Sequence, residues 1–210
     1  MTGRIIDISP PITPDLAVWP GDVPFSRTEN LSFAEGANID LSSIQTTVHL
    51  GAHTDAPSHY LAGGEGMASR DLSFYVGQAQ VMAVDAHPGE RIRAEHLTGP
   101  IVAPRVLFRT GSYPDPQHFN TDFCSLSPAL IERLAGEGVR LIGIDTPSID
   151  PVDSKDLPSH AMIASHDMAI LEGIVLADVP DGVYTLVALP LPIVDADASP
   201  VRAILLETMP

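Results

Sequence analysis

IDLSSIQTTVHLGAHTDAPSH, residues 39–59, starts as an alternating polar and aliphatic run and ends in a segment carrying three histidines and an aspartate. The first part, IDLSSIQTTVHL, alternates as a strand does, and Gly51 and Pro57 stop a helix from continuing it. The stretch therefore reads as a strand followed by a loop. In an extended chain His49, His53, Asp55 and His59 share odd parity and tend to face one side. A lone histidine is ordinarily a surface or hydrogen-bonded core residue. Three imidazoles and a carboxylate side by side are either all solvated or held by something positive, because burying them without a partner is costly. Imidazole nitrogen and carboxylate oxygen suit Zn²⁺, and the small residues Gly51, Ala52 and Ala56 let the backbone wrap closely. The same donors also accept Mn²⁺, Co²⁺ or Cd²⁺.

Further strands are read from runs rich in Val, Ile and Leu: RIIDIS, QAQVMAVDA, IVAPRVLFRT, VRLIGID, GVYTLVAL and VRAILLE. Several are apolar on both faces, as buried central strands are. Twenty prolines, about twice the usual share, punctuate these runs. One helix opens with Ser127 as N-cap and Pro128 at the first helical position, and stops at Gly136 or Gly138. A second covers about SHAMIASHD, from Ser159. Many strands and few helices predict an α+β fold, a mixed sheet or partial barrel with outer helices. The absence of a linker or repeat gives one domain over residues 1–210.

Composition narrows the function. A net charge of -16 with no basic cluster argues against nucleic acid and anionic lipid and leaves a small molecule or another protein as partner. The single cysteine, Cys124, excludes an internal disulfide framework and a cysteine-based zinc site, and reads as a reduced core thiol in a cytoplasmic protein. Neither a leader nor an apolar span long enough for a membrane is apparent. Charged residues make up 18%, which hints that a second subunit covers some surface.

A second metal would need ligands from elsewhere, and SHAMIASHDMAILEG supplies His160, His166, Asp167 and Glu172. His160 and His166 are six apart, so at most one of them faces a common site. Glu172 lies in the apolar run ILEGIVLA and needs a metal or an arginine nearby. Asp145 and Ser148 read as turn and capping groups, and His87, His96, His118 and His166 as surface or supporting residues. No G-x-S-x-G elbow occurs, which disfavours a serine-hydrolase route.

HLGAHTDAPSH realises the pattern H-x-G-x-H-x-D-x-P-x-H and resembles the signature of the cyclase-like metal hydrolases. DISPPI near the start, VWPGDVPF at 18–25, GIDTPSID at 143–150 and Glu172-Gly173 extend the resemblance over essentially the whole chain, and VWPGD points to the formamidase branch of the family. Ala52 stands where the wider family usually has Thr, at a position that is not a ligand.

The resemblance implies a swivelling β/β/α domain, usually a homodimer, with two Zn²⁺ per subunit. His49, His53 and Asp55 would bind one zinc, with Asp55 also reaching the second, which His160 and Glu172 would complete. His59 would be the acid/base residue and Trp19 would line a pocket for an aromatic substrate. The implied reaction is hydrolysis of N-formyl-L-kynurenine to L-kynurenine and formate, a step of tryptophan catabolism. A related amidohydrolase acting on another aromatic amide such as isatin, and a non-catalytic metal-binding protein, are the alternatives.

Overall fold

In the computed structural model, which describes residues 3–207, the apolar runs assemble into a seven-stranded mixed sheet curled into a partial barrel. Edge to edge its strands are Ile5–Asp7, Ile204–Glu207, Gly182–Val187, Val76–Ala83, Arg105–Arg109, Leu141–Ile144 and Ala169–Leu171. Pairing is antiparallel as far as Val76–Ala83 and parallel from there on. This is the α+β architecture expected from the sequence.

Both faces of the sheet are covered, which explains strands that are apolar at every position. In Arg105–Arg109, Val106 and Phe108 enter one core while Leu107 enters the other, the two-residue period of a strand. The first core takes Leu130, Ile131 and Leu134 from helix α2 (Pro128–Gly136) and Ile163 from helix α3 (Pro158–Ser165). The second contains Val81, Leu171, Leu186 and Leu205.

Ser127 caps α2 as read from the sequence, its hydroxyl accepting from the Leu130 amide at 3.3 Å, and Pro128 occupies the first turn. The second helix differs slightly. It starts at Pro158, and the preceding residue is Leu157, held at φ +41° with no side-chain cap. The stretch 39–59 differs more. The strand ends at Gln45, forming with Ser26–Leu31 a two-stranded ribbon exposed along its length. Residues 46–52 form a loop that delivers His53–Asp55 as a separate short strand against Ala198–Pro200. No helix runs on through Gly51, and Pro57 opens a new one-turn helix, α1 (Pro57–Tyr60). A shared parity across residues 49–59 is thus not what joins these side chains.

The parallel strands set the site's location. Gly111, Asp145 and Glu172 lie just past the carboxyl ends of Arg105–Arg109, Leu141–Ile144 and Ala169–Leu171, where open parallel sheets expose their loops to ligands, and all three residues line one cavity.

Candidate metal centre

His53 and Glu172 are locked together by backbone before their side chains meet. Each accepts a hydrogen bond from the other's amide, at 3.1 and 2.9 Å, in an isolated antiparallel bridge. Gly173 makes this approach feasible: at φ +65° it passes the Gly51 carbonyl so closely that a Cβ would collide with the oxygen. That same carbonyl accepts from His53 Nδ1 at 2.9 Å, leaving Nε2 for the site. On the other side Asp150 accepts from His160 Nδ1 at 2.9 Å, and from the Ser159 and His160 amides in the first turn of α3. His160 is thereby aimed Nε2-first at the same point.

Asp55 sits between these histidines, buried at 2% exposure. His49 Nδ1 lies 3.0 Å and His53 Nε2 3.6 Å from its Oδ1, and His160 Nε2 lies 3.6 Å from its Oδ2. Glu172 stands 3.3 Å from His53 Nε2 and 3.6 Å from His160 Nε2, its Oε1 also accepting from the Ile149 amide at 2.7 Å. Despite these short separations neither Asp55 oxygen has a hydrogen-bond partner among the described residues. A buried carboxylate left so is expensive. The donors aim at common points between them rather than at each other, the arrangement ligands adopt around cations.

Two such groups share Asp55: His49, His53 and Asp55, and Asp55, His160 and Glu172, with candidate ligand atoms within 4.8 Å of one another in each. The nitrogen and oxygen donor set fits zinc or another borderline divalent cation. Burial alone would depress the imidazole pKa values, but the facing carboxylates win. His49 is raised to about 9 by Asp55 and Asp197, and His160 to about 10 by Asp150 and Asp55. Burial pushes the Asp55 carboxyl up, and the His160 and His49 rings override this and hold it well below the usual range. Asp150 is likewise brought down to about 2, its burial outweighed by His160 and Arg91. The site is built to concentrate negative charge around a positive occupant.

The structure brings all the sequence-predicted residues to one cavity of about 660 Å³, lined by His49, His53, Asp55, His160 and Glu172 and also by His59 and Trp19. His59, on α1, is exposed and packs on the His49 ring at 4.4 Å between centroids. Trp19 meets Phe119 edge to face at 5.4 Å, and its turn is tied to the histidine loop through Asp22, which accepts from the Thr47 hydroxyl at 2.5 Å. Thr47 in turn accepts from the His49 amide at 3.2 Å.

Asp145 accepts from the Thr110 and Gly111 amides and so fixes loops, as its reading as a turn group requires. His166 is exposed at the end of α3. Glu172 finds histidines rather than an arginine. Two residues escaped the sequence reading. Asp150 orients His160, and Asp197 lies 2.9 Å from His49 Nε2 and 3.4 Å from His59 Nδ1. Asp150 was visible within GIDTPSID, but nothing local pairs it with a histidine ten residues on. Asp197 arrives from the far end of the chain through the pairing of Ala198 with Asp55.

A curled mixed sheet bearing two adjoining histidine–carboxylate groups at its strand ends defines a hydrolase-like scaffold able to hold metal. The chain belongs to the cyclase family, whose model, described as putative cyclase, matches residues 6–151. It is 45% identical over 207 residues to the kynurenine formamidases of Bordetella pertussis and Bordetella bronchiseptica, covering 97% of this chain and 98% of each relative. Among solved structures it is similar to a potential metal-dependent hydrolase with cyclase activity, at 29% identity and a TM-score of 0.83 over 99% of both chains. Isatin hydrolase A from Labrenzia aggregata shares the fold at 23% identity and a TM-score of 0.81, over 98% of this chain and 94% of that one.

Proposed function

We propose that the protein hydrolyses N-formyl-L-kynurenine to L-kynurenine and formate at a site holding two zinc ions, as a step of tryptophan catabolism. The observation that carries the site is Asp55, a buried carboxylate whose oxygens accept no hydrogen bond among the described residues, one facing His49 and His53 and the other facing His160. The 45% identity to the Bordetella kynurenine formamidases across nearly the whole chain supports the substrate.

In this reading His49, His53 and Asp55 hold one ion, and Asp55, His160 and Glu172 the other. Zinc, when bound, supplies Lewis-acid polarisation of an amide oxygen and water that ionises near neutral pH. The chain supplies the rest. Trp19 and Phe119 give the aromatic ring an apolar wall beside the donors. His59, beside the cluster yet open to solvent, takes a proton from water and returns it to the aniline nitrogen, so that the C–N bond breaks with a neutral amine leaving. Asp197 faces one nitrogen of His59 and steadies the ring. The same reading gives one domain over residues 1–210, a cytoplasmic protein and a homodimer. Exposed Leu31, Leu41 and Ile44 on the outlying ribbon support the dimer as apolar surface needing cover.

Metal-stripped protein assayed with N-formyl-L-kynurenine before and after adding zinc, with isatin in parallel, tests the proposal. Zinc-restored turnover of the formamide alone is expected. Preference for isatin moves the substrate to that amide, and tight metal binding without turnover of either leaves a metal-binding protein.

A further inference from the structure

We infer that Lys155 is the specificity residue that captures a carboxylate on the substrate, at the end of the molecule away from the bond that is cut. This inference rests on the N-formyl-L-kynurenine reading above and adds the residue that receives the substrate's carboxylate.

The chain has one lysine, and it lines the cavity. None of the arginines does. Arg70, Arg91 and Arg109 are committed to carboxylates elsewhere, whereas no carboxylate pairs with Lys155 among the described residues. The cavity wall otherwise carries Asp22, Asp55, Asp145 and Glu172, in a chain of net charge -16. Away from the metal donors no other lysine or arginine among the described residues lines the cavity, and a lysine ammonium on a flexible stem is a point charge suited to receiving an anion. Lys155 is exposed in the loop that enters α3, five residues before His160. Five residues span at most ~18 Å, so the same short segment supplies the anion receptor and a donor of the metal cluster. Its conformation is over-determined: Leu157, a cavity-lining residue, holds φ +41°, a region that branched side chains avoid. A substrate gripped at its ring by Trp19 and at its carboxylate by Lys155 would be fixed in direction.

Trp19 is the only tryptophan, so its fluorescence reports occupancy of the cavity directly. Zinc-loaded protein is titrated with L-kynurenine and with 2-aminoacetophenone, which keeps the ring and ketone but lacks the amino-acid tail. In Lys155→Ala the Kd for L-kynurenine is expected to rise roughly tenfold or more, the loss of a charge-assisted contact, with no matching rise for 2-aminoacetophenone. Lys155→Arg is expected to recover most of the affinity. Equal weakening of both ligands by Lys155→Ala, or no weakening of L-kynurenine, overturns the inference.

Turnover separates it from the reaction it rests on. If L-kynurenine binding depends on Lys155 but no formamide is hydrolysed, the reaction fails and the carboxylate site stands. If N-formyl-L-kynurenine is hydrolysed and Lys155→Ala leaves its kcat/KM relative to N-formyl-2-aminoacetophenone unchanged, the site fails and the reaction stands. Wild-type protein that binds neither ligand and hydrolyses no formamide overturns both.

Discussion

Asp55 and Asp150 are both buried aspartates beside His160, yet their surroundings give them different work. Asp150 is satisfied by α3 amides, by Arg91 and by the ring it orients. Asp55 accepts no hydrogen bond among the described residues. Asp55→Ala should therefore abolish binding of both metals, as measured by metal analysis after dialysis; two ions retained would refute its shared position. Asp150→Asn should keep both ions at high concentration but weaken zinc affinity by roughly 10- to 100-fold in chelator competition, the usual loss when a ligand's supporting carboxylate is changed. His59→Ala should keep its metal and lose on the order of 10² to 10⁴ in kcat, the range of general acid–base catalysis; a fall in metal content would make His59 a ligand instead.

At the scale of elements, the site depends on contacts that do no chemistry. The bridge between His53 and Glu172 requires the close passage of Gly173 over the Gly51 carbonyl. Gly173→Ala should push these strands apart and lower metal affinity and melting temperature together; an unchanged melting curve would show that the crossing has slack. Helix α2 offers a contrasting case, since it lines no part of the cavity. Ser127→Ala removes its N-cap, with an expected loss of about 1 kcal/mol in urea unfolding and no change in bound metal.

For the whole molecule the cluster of buried acids and raised imidazoles links stability to pH. His49 and His160 are raised from an ordinary 6.5 to about 9 and about 10. Groups whose folded pKa lies above the unfolded value stabilise fully below about pH 6.5 and lose that contribution as pH rises through the folded pKa. Metal-stripped protein should accordingly lose melting temperature between about pH 6.5 and 10, while zinc-loaded protein, whose ligating imidazoles are already deprotonated, should show a flatter profile. Zinc binding at pH 7.5 should release protons, visible as a dependence of the calorimetric heat on the buffer's ionisation enthalpy; no dependence would mean that the imidazoles are neutral beforehand.

The α+β class, the strands whose apolar residues fill both faces, the capped helix at Ser127 and, through HLGAHTDAPSH, the donor chemistry were legible in the order of amino acids. These are local properties: period, turn residues and side-chain type act within a few positions. How residues 39–59 are divided was not legible there, because alternation cannot distinguish a strand that joins the main sheet from an exposed ribbon followed by a loop. What needs the tertiary structure is that His53 lies against Glu172, that Asp55 accepts no hydrogen bond among the described residues, that Asp150 and Asp197 reach His160 and His49, and that Lys155 lines the cavity. Those facts come from pairings between segments as far apart as Asp55 and Ala198, and no local pattern encodes which distant backbone will supply the partner.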